Sequence, residues 1–381
     1  FIHVPAMDRE SGNLCHLANR RMEPWPLTAQ NAESRAQVRA LFPERLWSRA
    51  LTVISATWGV ATLLGPAVGG VFAQYHAWRA AFWMLLAITP VLAVLVEVAL
   101  PRGEAAPPDV RARMAWTNLA LLVGSVLAVS VGSTTTDPLW TFLTLVAACI
   151  GLKMFARREA AGPVRLLPRG ACLAGAPLGA TYGTMALLLV GLTVEIFVPY
   201  FLQTLHGLLP LHAGYLSALM SAGWTTGSMV STAAGAQKSG PWLAGGPLLV
   251  AGGLLGLAVL MPRPGPPGAD VAVMAVCLVA MGLGIGLCWP LLGTGVFGAA
   301  PAGEQALAAA SITTVVMVAN AFGSALGGMV TNLAGMAAGG AAAASPAAAW
   351  LFTLAMAAPL GALLLARRVR LGRFAVASAA E

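Results

Sequence analysis

Charge is what this chain has least of: 9% of its 381 residues are Asp, Glu, Lys or Arg, while 58% are hydrophobic. An ordinary soluble domain is about 25% charged, so a water-soluble fold is not expected. Cysteine is scarce too. Cys149, Cys172, Cys277 and Cys288 lie in or beside apolar runs and Cys15 sits in a polar N-terminal stretch. No CxxC and no Cys/His pairing at metal-ligand spacing occurs, so each reads as a small buried hydrophobe and neither a metal nor a cofactor is expected. Enzyme signatures are missing as well: there is no GxSxG, HExxH or P-loop. GLGIG at 282–286 departs from GxGxxG and lies within an apolar run, where Gly282 and Gly286 read as a helix-packing face. A membrane-embedded enzyme or receptor would need a cluster of acids or histidines inside those runs, and none is seen.

Long apolar runs are what the chain has in their place. They fall at about 50–73, 80–100, 114–133, 137–155, 174–202, 213–236, 242–261, 271–299, 306–334 and 347–366. Crossing a hydrocarbon core of about 30 Å takes roughly 20 apolar residues in a helix, because no water is there to bond the backbone. The pattern therefore predicts an all-α membrane protein with ten spans. The 137–155 run is the shortest, bounded by Asp137 and Lys153.

The cations test this count, since Lys and Arg accumulate in cytoplasmic loops. With residue 50 starting inside, twenty of the 22 Lys and Arg fall on inside segments, and only Arg79 and Arg263 fall outside. The C-terminus is then cytoplasmic. The net charge of +8 follows from topology and contact with anionic lipid rather than from nucleic-acid binding.

Residues 1–37 are polar, with charges of both signs, and lack the apolar stretch of a signal peptide. The chain begins with Phe1, which reads as an incomplete frame. Two basic linkers, 101–113 and 156–170, flank the runs at 114–155, which read as a helical pair inserted between larger blocks. The domain expectation is a polar segment at 1–37, helices over 38–100, linkers and inserted pair over 101–170, and a six-helix block over 171–381.

The densest motif lies at 59–83, GVATLLGPAVGGVFAQYHAWRAAFW. Ala61, Gly65 and Gly69 recur every four residues and share one helix face that admits close approach of another helix. Pro66 removes a backbone donor and predicts a bend. This stretch resembles the antiporter motif GxxxGPxxGG of the major facilitator superfamily, in particular its drug:proton antiporters with fourteen spanning helices. Gly65, Pro66, Gly69 and Gly70 match it, and Ala61 replaces the first glycine. FPERLWSRA at 42–50 with Arg45 and Arg49, WRAAFW at 78–83, VPYFLQTLHG at 198–207, GIGLCWPLLGT at 284–294 and PAGEQALAAAS at 301–311 are similar to other pieces of that family.

The resemblance implies a major-facilitator-type bundle in which this chain supplies about ten of fourteen helices, starting at the fifth, with the pair at 114–155 as the family's two extra helices. The chain then reads as N-terminally truncated. The loop between the second and third helices of the second half survives only as GAQKSGPW at 235–242, where Lys238 alone keeps charge. The implied function is multidrug-type efflux of small amphiphilic or cationic compounds driven by protons, by a multi-pass monomer in the plasma (inner) membrane. A non-transporting remnant is the competing reading.

Acids within spans are costly and usually face a cavity. Glu195 lies toward the outer third of the 174–202 run. An acid at mid-span costs about 2.5–3.5 kcal/mol on insertion scales, and each Leu, Ile, Val or Phe returns about 0.3–0.6. With twelve of these between 178 and 202, the run inserts despite the acid. Glu195 has two readings: a proton- or cation-binding acid, or an interfacial residue hydrated from outside. Glu97 near the inner end of its run reads as snorkelling to the interface. Gln203 and His206 are candidates for an external vestibule, and Asn320 for helix contact or substrate contact.

Reporter fusions at 101–113, 156–170 and the C-terminal segment are expected to report the cytoplasm, because these hold eleven of the cations. Fusions after residues 135 or 265 should report the outside. A cytoplasmic signal at 265 would contradict the ten-span order.

Overall fold

The computed structural model describes residues 61, 64–65, 68–99, 115–162, 164–173, 175–234, 239–266, 268–301 and 303–369. The chain divides into two compact units, one of Phe82–Met114 with Phe1–Leu27 and one of Ala115–Glu381 with Thr28–Ala81. Most of the described part of the first is helix α1, Trp78–Ala99, which contains Pro90. That proline has no N–H to donate to residue 86, and next to it the Thr89 hydroxyl donates back to the Leu85 carbonyl at 2.7 Å.

The larger unit is a bundle. Helices α2 (Trp116–Ser133) and α3 (Pro138–Ala161) form a hairpin. Asp137 caps α3 by accepting from the Leu139 N–H at 2.8 Å, and Pro138 occupies the first turn, where its missing donor costs nothing. The run that reads as the shortest span is thus a 24-residue helix. Lys153, Arg157 and Arg158 ride on its last turns instead of starting a loop, since long cationic side chains reach the interface from within a helix.

Helix α4 (Pro177–Leu192) passes through a 3₁₀ turn, Thr193–Phe197, into α5 (Val198–His206). Pro199 cannot donate to the Glu195 carbonyl, and the Val198 N–H bonds it instead, which tightens the chain to the 3₁₀ spacing. Helix α5 stops at Gly207, whose φ of 65° lets its N–H reach Gln203 while the Leu208 N–H returns to Leu202. Then come α6 (Pro210–Ala234), α7 (Ser239–Leu260), α8 (Ala269–Ala299) and α9 (Gln305–Leu333). A last pair, α10 (Gly340–Ala355) and α11 (Ala357–Ala366), makes one span of 27 residues.

Eight helical stretches among the described residues are long and apolar enough to cross a membrane. Two of the ten expected spans are not among them, for different reasons. The 50–73 run lies largely outside the described residues. The 213–236 run is the helix α6, but Ser217, Ser221, Thr225, Thr226, Ser228, Ser231 and Thr232 dilute its apolar character. Ser217, Thr225, Thr226 and Thr232 each donate to the carbonyl four residues back, which reduces the cost of hydroxyls in an apolar surround.

Helix α8 is the hub, packed on α6 along one side and α7 along another. A Cβ on Gly282 or Gly286 would overlap the carbonyl of Met220 or Trp224, and Gly223 faces the Val279 carbonyl in the same way. On the other side, Gly246 lies against the Gly284 carbonyl and the Cys288 Sγ. Cys288 donates to the Trp242 carbonyl at 3.3 Å. The Trp224 and Trp289 rings meet edge to face at 5.3 Å. Backbones this close recruit dispersion along their whole length, where lipid tails offer no hydrophobic drive for association.

Gly282→Leu is expected to destabilise the protein by about 1–3 kcal/mol through overpacking, read as a lowered unfolding temperature in detergent. Gly293→Leu on the same helix, where a Cβ meets nothing within 4 Å, should leave it near wild type. Equal losses from both would show that close packing on α6 does not set stability.

Candidate functional site

The 3₁₀ turn that Pro199 imposes presents Glu195 part-way along a 30-residue apolar span. The residue is half-buried, and its carboxylate has no hydrogen bond or ion pair among the described residues. Its helix is fixed at two levels against α9. Toward the start of α4, the buried Tyr182 hydroxyl donates to the Ala308 carbonyl at 3.0 Å and lies 2.7 Å from Ser311 Oγ, a contact in which either hydroxyl can be the donor. At the turn, Gly323 of α9 lies beneath Val190 and Thr193, and Gly327 lies beneath Phe197. Close packing on both sides of Glu195 holds the 3₁₀ geometry, and with it the place of the acid.

Asn320 sits one turn before Gly323 on α9. It is half-buried and its side-chain amide has no hydrogen bond among the described residues. Gln203 turns its Nε2 back on its own helix, donating to Pro199 O at 3.0 Å. No hydrogen bond joins Glu195, Gln203 and Asn320. His206 differs from the expectation of a vestibule residue: it is 2% exposed, with Nε2 unpartnered, because the last turn of α5 folds into the bundle. Beside it a largely apolar groove of about 640 Å³ runs along Gly207, Leu209, His212, Tyr215 and Leu219.

Residues 61, 64–65 and 68–70 of the antiporter-like stretch are helical, and Pro66 lies outside the described residues. The tight contact is displaced from the expected face. Among the described residues a Cβ on Gly65 or Gly69 meets nothing within 4 Å, and Ala61 is exposed, whereas a Cβ on Gly70 would stand 2.8 Å from Leu211 Cα at the start of α6. Arg45, Arg49 and Lys238 also lie outside the described residues. Glu97 is exposed on α1, as a snorkelling acid would be.

Sequence reasoning missed Glu159. It is 3% exposed and accepts from Asn118 Nδ2 at 2.6 Å and from the N–H groups of Leu166 and Leu167, each at 2.5 Å. The signal was present as a lone acid in the basic run RREAAGPVR, but a charge in a linker ordinarily stays in water. Next to it, in the segment between α3 and α4, burial first and Glu159 second push the Cys172 thiol up to about 11, so it stays protonated and unreactive at neutral pH. Among the described residues no group of three or more His, Cys, Asp or Glu could hold a metal ion.

The arrangement is a lipid-facing helical bundle with a partnerless acid at a helix break and no catalytic constellation among the described residues. Comparison with known proteins agrees. The family model for the Major Facilitator Superfamily matches residues 28–324. A probable multidrug-efflux transporter of Mycobacterium tuberculosis is 35% identical over 307 residues, 78% of this chain and 64% of its own length. A tetracenomycin C resistance and export protein of Streptomyces glaucescens is 27% identical over 263 residues, 65% of this chain and 46% of its own. The chain thus spans under two thirds of the length of these relatives. With its long apolar helices, its glycine-packed bundle and a match across most of its length, this chain belongs to the Major Facilitator Superfamily.

Proposed function

We propose that the chain works as part of a proton-coupled secondary transporter that exports small amphiphilic or cationic compounds. Two relatives bear names of multidrug efflux and of resistance and export, which supports the direction and the substrate class. The observation that carries proton coupling is Glu195, a carboxylate set in an apolar span with no partner among the described residues. Ionisable groups inside a membrane are costly and commonly mark an ion or substrate path, which is the role this reading gives Glu195. A single acid that takes a proton from one side and a cationic substrate from the other couples the two flows by exclusion.

The reading includes ten spans with a cytoplasmic C-terminus in a plasma membrane, a monomer, and the fourteen-helix drug:proton antiporter type. Its domain map is an inserted pair over 101–170 and a six-helix block over 171–381. Support comes from the charge asymmetry of the loops and from the 25-residue helix at Pro210–Ala234, long enough to cross and with its hydroxyls bonded to its own carbonyls. Access alternates by rocking of one bundle against another around the site. Gly70, tight against Leu211, gives one close contact on which a closed state can rest.

Glu195→Gln keeps the side chain's shape and removes its titration. In vesicles with an imposed pH gradient the variant is expected to lose most of its proton-driven uptake, because an amide has no proton to exchange in this range. Substrate exchange without a gradient should survive. Equal gradient-driven uptake by wild type and variant would leave Glu195 as an interfacial residue and remove proton coupling from this position.

A further inference from the structure

The hairpin α2–α3 reads as an insert between two blocks, yet it is fastened to the C-terminal helices at three levels. At one end Glu159 gathers Asn118 of α2 and the N–H groups of Leu166 and Leu167 onto one buried carboxylate. The same connecting segment is then held to the start of α9. The Arg169 N–H donates to Glu304 Oε2 at 2.7 Å, and the Arg169 and Arg165 guanidinium groups stand 3.5 and 3.9 Å from Glu304 Oε1. In the middle, Val129 and Ala148 of the hairpin pack with Ala325 and Met329 of α9. At the far end Asn332 Nδ2 donates to the Ser133 carbonyl at 2.5 Å. Close by, a Cβ on Gly328 would lie 3.4 Å from Ser133 Cβ.

Each fastening is of a kind that resists sliding. A buried carboxylate with three donors cannot shift without leaving charge and N–H groups unpaired in a low dielectric. The far end is closely packed as well, with Gly132 against the Met329 methyl, at 2.8 Å for an added Cβ. A hairpin fixed at one end would swing on the other. One fixed at both ends and along its middle has no free direction.

We propose that α2–α3 is a permanent member of the body formed by α4 to α11 and travels with it as one rigid piece, with Glu159 as the residue that positions its inner end. The inference rests on the transporter reading only in that there is a cycle to travel through. Domain motions of this type move packed bodies as units and leave their internal contacts intact.

The test is a disulfide between S133C and G328C in a chain whose five native cysteines are replaced, since the Cβ separation of 3.4 Å stands at the short edge of the roughly 3.5–4.5 Å that the bond needs. The reconstituted protein is oxidised with and without an imposed pH gradient, its free thiols are counted after denaturation, and uptake of ethidium is compared before and after reduction. The expected result is complete thiol loss under both conditions and uptake unchanged by the bond. A persistent unbonded fraction, or uptake lost on oxidation and regained on reduction, would overturn the proposal. If ethidium uptake is absent in wild type as well, the transporter reading fails, and the thiol count alone decides whether the hairpin is fixed. Adding Glu159→Ala should lower the extent of bonding, an effect that a hairpin held by its apolar contacts alone would not show.

Discussion

Hydrocarbon supplies no hydrogen bonds, so a polar group held within it has its partners inside the protein. That constraint selects helices throughout. It turns the hydroxyls of α6 back onto their own carbonyls, and it turns Gln203 back onto Pro199. Tyr182 and Ser311 bond each other across two helices. Glu159 is satisfied three times over. Glu195 has no such partner. Among the described residues the His206 Nε2 and the Asn320 amide also lack partners, and Glu195 differs from them in being an acid at a helix break within an apolar span.

The second consequence concerns how the helices hold together. With lipid as apolar as leucine, burial alone does not drive one helix onto another, and close backbone contact has to. The glycines of α8 serve both of its neighbours, Gly282 and Gly286 toward α6 and Gly284 toward α7. Gly323 and Gly327 of α9 do the same beneath the Glu195 turn. One composition feature, abundant glycine in apolar runs, therefore sets both the stability of the bundle and the position of its acid.

Much of this was legible in the sequence, and the parts that were not share a cause. Apolar run length located the eight helical stretches long and apolar enough to cross a membrane, and Gly282 and Gly286 could be read as a packing face because four-residue spacing is a local property. The break at Glu195 was also local in origin, through Pro199, but its effect falls on a residue four positions earlier and is easily passed over. The contact of Gly70, and not Gly69, with Leu211 depends on the rotation of a helix about its axis, which spacing leaves open. Glu159 and Asn118 are 41 residues apart, and Ser133 and Asn332 are 199 apart; pairings at such distances belong to the tertiary fold, and composition is silent about them. His206 read as a candidate for an external vestibule, and the fold buries it.

Proton exchange for substrate is the centre of the account, and it is measured most directly by its stoichiometric trace. Vesicles carrying the protein are loaded with an inward-acid pH gradient reported by a quenched acridine dye, and tetraphenylphosphonium or ethidium is added outside. The account predicts a partial collapse of the gradient on each addition, in proportion to the cation taken up and absent from protein-free vesicles. Accumulation of the cation with the pH gradient untouched would contradict it.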